Sequence, residues 1–287
     1  NPKPQTPNPK PQTPNPVFMD WVSGDLVFVV VAFRLSILVV VVSRFSKYLP
    51  LKNKWFNSPE EKLSMQRIIG IIGLLAAVLT TAEKLLPSGE ILSGWLQNLN
   101  LGTTTVYHCA MVLLTNSVLF MGNLYFEGRH LPEKLSDEWK ESKINFIKLY
   151  AVAPLVEEAL YTSFLYECFR ALGLSGDAYF CIVSSLCFGI SHVHMKWELI
   201  KATFKDSTLS IKQKLLQIIK GCIGIVLMTT IFSLYSKIVF VKAKSLWPPA
   251  LLHVYCNILG PPISSPPEVI KFHIAGIGLA SVLLYLY

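Results

Sequence analysis

Glu157 and Glu158 stand side by side in an apolar run, Ala151-Val152-Ala153-Pro154-Leu155-Val156-Glu157-Glu158-Ala159-Leu160. A charge at bilayer depth costs roughly 3 kcal/mol or more unless it is paired, hydrated or used. No Lys or Arg on the same stretch is placed to offset this pair. His192 and His253 lie inside two further apolar stretches. Carboxylate and imidazole together can take a proton from water, so the residue types point to hydrolytic chemistry within a membrane.

Spacing sorts these side chains by face. Consecutive residues on a helix point about 100° apart, so Glu157 and Glu158 cannot serve one site in the same way. One is expected to act and the other to support it. Phe188 and His192 are four apart and share a face, as do His253 and Asn257. A His and an Asn on one stripe can both donate to one oxygen, the geometry of an oxyanion site. The Leu246-Trp247-Pro248-Pro249 segment just before them marks a helix start, where proline is tolerated in the first turn. At about 1.5 Å rise per residue, Glu157 lies roughly 16 Å into its span, His192 roughly 20 Å along its own and His253 roughly 10 Å into a third. These depths allow one shared intramembrane site. A lone His or Asn in a membrane helix also serves as an interhelical hydrogen bonder, and that reading stays open for each taken singly. His194 and Glu198 also fit interfacial polar positions.

Metal chemistry is the rival for the same histidines. His192, His194 and His253 could supply the three protein ligands of a catalytic zinc. The H-E-x-x-H signature is absent, and His192 and His194, two apart, would face apart on a helix. The reading is therefore no metal and no cofactor.

The elements that must position these residues are membrane spans. The chain has 287 residues, 52% hydrophobic and 15% charged, with a mean hydropathy of +0.46. A soluble domain carries about 25% charge. The fold class is all-α, a polytopic membrane protein with about eight transmembrane helices around an intramembrane cavity. Candidate spans of about 20 apolar residues fall at 26–43, 68–81 (extending towards 86), 105–125, 146–164, 179–194, 218–239, 246–260 and 269–287. Residues 1–16, two copies of Asn-Pro-Lys-Pro-Gln-Thr-Pro and a final Asn-Pro, read as a disordered Pro-rich segment, a processed or appended end set aside from fold reasoning. Residues 17–287 form a single multi-span domain with a catalytic core at about 146–260.

The net charge of +8 suggests basic cytoplasmic loops. No basic run is interleaved with aromatics, so nucleic-acid binding is not expected. Lys and Arg of the first loop (Arg44 to Arg67) and the fifth (Lys196 to Lys214) place both on the cytoplasmic side. Lys237, Lys242 and Lys244 form a basic sixth loop that conflicts with this alternation. Between spans three and four, Leu131, Leu135 and Trp139 recur at i, i+4, i+8, consistent with an interfacial amphipathic helix or a solvated connector. Six scattered cysteines without a C-x-x-C pair read as buried free thiols.

Three motifs in order, Glu157-Glu158, Phe188-x-x-x-His192 and His253-x-x-x-Asn257, resemble those of the CAAX prenyl endopeptidases of the Ras-converting type. The similarity runs from about Lys148 to Gly260. It implies an eight-span, metal-independent glutamate endopeptidase of the endoplasmic reticulum membrane, with its active site open to the cytoplasmic side. Such enzymes remove the last three residues of prenylated CAAX proteins such as Ras. The implied partners are prenylated CAAX C-termini and membrane lipids. The resemblance assigns Glu157 and His192 to water activation and His253 and Asn257 to the oxyanion, with Glu158, His194 and Phe188 in support. His194 and Glu198 continue the family's eukaryotic pattern. The chain departs from the family at one position: the first motif reads E-E-x-x-x-R, and its arginine falls at Thr162. Glu158 must then be protonated, hydrated or paired from another helix. That departure keeps a catalytically silent prenyl-protein-binding scaffold as an alternative. A proton-coupled transporter is a third reading, although no inverted repeat is visible.

Overall fold

The computed structural model describes residues 24–52, 56–85, 90–260 and 276. The Pro-rich end, and the predicted eighth span apart from Gly276, lie outside them. Thirteen α-helices follow in order among the described residues: α1 Gly24–Phe45, α2 Pro59–Leu85, α3 Ile91–Gln97, α4 Thr103–Leu119, α5 Met121–Glu127, α6 Leu131–Glu141, α7 Lys143–Ile147, α8 Ala153–Glu158, α9 Leu165–Ala171, α10 Asp177–Ser191, α11 Trp197–Lys205, α12 Ile211–Ala243 and α13 Trp247–Leu259. No strand occurs among the described residues.

Among the described residues, four helical stretches are long and apolar enough to cross a membrane: Gly24–Tyr48, Pro59–Lys84, Asp177–Lys205 and Ile211–Ala243. They correspond to the first, second, fifth and sixth predicted spans. The third, fourth and seventh are helical without reaching that length and apolarity unbroken. An exposed apolar stripe of Ile219, Ile223, Leu227 and Ile231 runs along α12 at i, i+4 spacing. In water such a stripe would be a liability, whereas in a bilayer it faces its natural solvent. The chain is an all-α polytopic membrane protein.

The interior is aromatic. Phe28 of α1 stacks edge-on against Phe169 of α9 at 5.3 Å, and Tyr166 meets Phe180 of α10 at 5.0 Å and Phe240 of α12 at 5.3 Å. Offset and edge-to-face geometry of this kind adds about 0.5–1.5 kcal/mol per pair beyond simple burial. All six cysteines are free thiols, four of them buried.

The α10–α12 crossing is tight because of Gly189. A Cβ there would meet Thr230 Oγ1 and lie 2.8 Å from the Val226 carbonyl oxygen, and a backbone atom cannot swing aside. Gly189→Val is expected to cost about 1–3 kcal/mol of stability by overpacking. A thermal unfolding midpoint in detergent equal to that of wild type would contradict this close approach.

Two predicted details change. The sixth loop is far shorter than expected, because α12 continues to Ala243. Lys237 and Lys242 are helical, and only Lys244 and Ser245 lie beyond the last helical turn before Leu246 caps α13. Lys237 is fully buried, so it is not a loop charge, and the conflict with the alternation of basic loops largely disappears. The second change is in span four, which is not a uniform α-helix. Lys148–Val152 and Ala159–Phe164 are π-helical and flank α8. Pro154 has no N–H for the Tyr150 carbonyl, and its ring crowds that carbonyl, so the ladder widens just upstream. Downstream, the Tyr161 carbonyl accepts from Ser184 Oγ and ties the second π-helical segment to α10.

The connector before span four is helical, and α6 buries none of its residues. Leu131 and Leu135 are half-buried and Trp139 is exposed. The Trp139 ring packs edge-on on Phe146 at 5.3 Å. Tyr150 Oη donates to Glu138 Oε2 at 2.6 Å and ties this helix to span four.

Candidate active site

Glu157 and Glu158 occupy the end of α8 and point to different surroundings. The Glu157 side chain is 26% exposed and that of Glu158 is 0% exposed. Glu157 Oε2 lies 4.0 Å from His192 Nε2 and 3.8 Å from His253 Nε2. These gaps exceed a direct hydrogen bond and match groups that share a water.

Each imidazole is oriented from its far side. His192 Nδ1 donates to the Phe188 carbonyl at 2.9 Å, because a carbonyl can only accept. His253 Nδ1 lies 3.1 Å from Glu158 Oε1 and donates to that carboxylate. Both Nε2 atoms therefore turn towards Glu157. This is how an imidazole tautomer is normally set, by the bond its other nitrogen makes.

His192 does not continue α10. The α-helix ends at Ser191 and tightens into a 3₁₀ turn over His192–Lys196. The His192 and His194 rings are consequently 6.0 Å apart, not on opposing faces as an uninterrupted helix would place them. His194 Nδ1 donates to the Ser191 carbonyl at 2.6 Å. Glu198 is exposed and pairs with Lys201 at 2.7 Å on α11.

Phe188 is the shelf beneath the site. It is fully buried, its ring lies 4.5 Å from His192 and 6.0 Å from His253, and Tyr161 packs edge-on against it at 5.3 Å. Phe232 of α12 closes on His253 at 4.8 Å. Three helices thus hold two imidazoles against one apolar wall.

Asn257 lies one turn beyond His253 on α13, where its Nδ2 donates to the Leu149 carbonyl at 2.9 Å in the first π-helical segment. One amide hydrogen is thereby used and the second is not needed for that bond. The structure brings Glu157, Glu158, His192, His253 and Phe188 together; Asn257 flanks them, and His194 stands beside His192. Among the described residues no three His, Cys, Asp or Glu side chains converge as a metal-holding group.

Sequence reasoning missed the partner of Glu158. Lys237 Nζ, also 0% exposed, lies 3.7 Å from Glu158 Oε2. The same oxygen accepts from Ser236 Oγ at 2.8 Å and from Thr162 Oγ1. The position where the resemblance expects arginine thus supplies a hydroxyl, and the cation comes from α12. A signal was present, since Lys237 interrupts the apolar run Ile238-Val239-Phe240-Val241 and Phe232-Ser233-Leu234-Tyr235-Ser236.

Helices that cross a membrane and carry two carboxylates facing two imidazoles at their core define a class, a polytopic membrane protein with a candidate hydrolytic centre. Comparison narrows the class. Residues 139–259 match the family described as type II CAAX prenyl endopeptidase Rce1-like. The chain is also 32% identical over 165 residues to CAAX prenyl protease 2 of Saccharomyces cerevisiae (strain ATCC 204508 / S288c). That alignment takes in 54% of this chain and 49% of the yeast protein, so the chain spans about half the length of that relative. No solved structure matches. Over residues 139–259, the segment that carries all three motifs, the chain is similar to the Rce1-like type II CAAX prenyl endopeptidases.

Proposed function

We propose that this protein is an intramembrane endopeptidase that removes the C-terminal tripeptide from prenylated CAAX proteins. The observation that carries the reading is the convergence of both Nε2 atoms on Glu157 Oε2, at 4.0 and 3.8 Å, with both Nδ1 atoms already engaged behind them. A water held by Glu157 and His192 loses a proton to this pair as its oxygen attacks the scissile carbonyl. The negative oxygen that forms accepts from His253 Nε2–H and from the second amide hydrogen of Asn257. Collapse breaks the C–N bond, and the proton passes to the leaving amine.

These roles have His253 donating from both nitrogens, to Glu158 at Nδ1 and to the oxyanion at Nε2, which an imidazolium can do. The alternative of a silent scaffold drew on Thr162; with Lys237 beside the same carboxylate oxygen, that position no longer leaves Glu158 without a cation.

Membrane chemistry fits the substrate. An isoprenoid gains about 0.8 kcal/mol for each CH₂ buried in hydrocarbon, so lipid partition supplies much of the binding while the peptide reaches Glu157 from the basic, cytoplasmic side. In this reading the enzyme works in the endoplasmic reticulum membrane, with its catalytic core at about 146–260 of a single membrane domain.

The test is cleavage of a farnesylated CAAX peptide by the purified protein in ¹⁸O-water, followed by mass spectrometry. Wild type is expected to release the tripeptide and to place one ¹⁸O in the new carboxylate of the prenylated cysteine. His192→Ala is expected to lose most of that activity, about 10²-fold or more. Absence of tripeptide with wild type ends the proposal.

A further inference from the structure

Resting on the endopeptidase reading, we infer that Lys237 is a positioning residue of this active site, the buried counterion through which Glu158 holds His253. An ammonium taken out of water is expensive, and packing alone does not retain one in an apolar helix. Lys237 Nζ has no hydrogen-bond partner among the described residues. Its electrostatic partners are Glu158 Oε2 at 3.7 Å and the face of Phe188 at 5.1 Å. Both belong to the wall that orients the imidazoles.

The carboxylate of Glu158 therefore works at both ends. Oε2 faces Lys237, Ser236 and Thr162, while Oε1 receives His253 Nδ1. A hydrogen bond to an ionised carboxylate is roughly twice as strong as one between neutral groups. With Lys237 gone, a fully buried Glu158 has no cation left except His253 itself, and its carboxylate is no longer held by a charge from the Oε2 side. The Nδ1 bond then weakens, and Nε2 is no longer aimed at Glu157. Lys237 makes no ion pair with Glu157, so its effect on the site passes through Glu158 and the Phe188 face.

Thr162 offers a direct check. It sits one turn after Glu158, fully buried, with its hydroxyl on the same oxygen that faces Lys237. A cation moved from 237 to 162 would address that oxygen from the other side.

The experiment compares wild type, Glu157→Gln, Lys237→Met and the double variant Thr162→Arg/Lys237→Ala. The double change keeps buried volume roughly constant. Each purified protein is assayed on a farnesylated CAAX peptide and checked by size exclusion and thermal midpoint. Lys237→Met is expected to lower kcat about 10- to 100-fold with KM within about threefold of wild type, the split that loss of orientation gives and loss of substrate binding does not. The relocated-charge variant is expected to turn over at least about tenfold faster than Lys237→Met. Turnover by Lys237→Met within about threefold of wild type overturns the inference, as does a folded double variant no faster than Lys237→Met. If Lys237→Met yields no folded protein, the double variant decides alone: turnover within about tenfold of wild type upholds the inference, and a folded, inactive protein overturns it. A silent wild type overturns the endopeptidase reading and the inference with it. An inactive Glu157→Gln beside a fully active Lys237→Met overturns the inference and leaves the reading standing.

Discussion

Glu157→Gln is expected to lower kcat for tripeptide release by about 10²–10⁴-fold while leaving KM and the unfolding midpoint close to wild type. Glutamine keeps the shape of the side chain and removes only its basicity. Little structural cost follows, because the described contacts of the Glu157 carboxylate, at 3.8 and 4.0 Å, are too long to be direct hydrogen bonds. The loss should therefore appear in the chemical step. His192 remains, with Nε2 still presented by the Phe188 carbonyl, and accounts for whatever turnover persists. Steady-state kinetics on a farnesylated peptide, paired with a melting curve in the same detergent, measures both quantities. Undiminished kcat in the glutamine variant removes Glu157 as the base.

Its neighbour is expected to behave oppositely in stability. Glu158→Leu leaves Lys237 buried without its carboxylate, and deprives Ser236, Thr162 and His253 Nδ1 of the acceptor they share. Breaking a buried pair from one side costs about 3–5 kcal/mol, which lowers the midpoint by on the order of 10 °C. Removing both charges tells stability and function apart. Glu158→Leu/Lys237→Met should recover most of the lost midpoint, because two well-packed apolar side chains replace an ion pair at little cost. It should not recover turnover, because His253 Nδ1 still lacks its acceptor. A single Glu158→Leu protein that melts with wild type would show that the pair contributes nothing to the fold. Two adjacent glutamates are thus expected to give different phenotypes, one kinetic alone and one structural as well as kinetic.

This division follows from one helical step. Roughly 100° separates the two side chains. One direction meets the open edge shared by His192 and His253; the other enters the seam between α8 and α12. Pro154 and the two π-helical segments set where α8 lies against that seam. Gly189 then lets α10 approach α12 closely enough for Phe188 to lie under both imidazoles and against Lys237.

Much of this was legible in residue types alone. Apolar length and low charge specify helices in a bilayer, because no other open structure satisfies the backbone there. The i, i+4 pairs put Phe188 with His192, and His253 with Asn257, on common faces, because helical periodicity is local. The buried cost of two adjacent carboxylates marked Glu157 and Glu158 as needing partners. Local rules could not say which partners. Lys237 lies 79 positions from Glu158 in sequence, and it reaches Oε2 only because α12 packs beside the end of α8 and the π-helical segment that follows it. The 3₁₀ turn at His192 and the widened turns around α8 likewise arise where a local rule yields to packing and to a missing N–H. Periodicity and burial cost belong to one segment at a time and are written in the chain; the identity of a counterion depends on which helices touch, and that was decided by the tertiary structure.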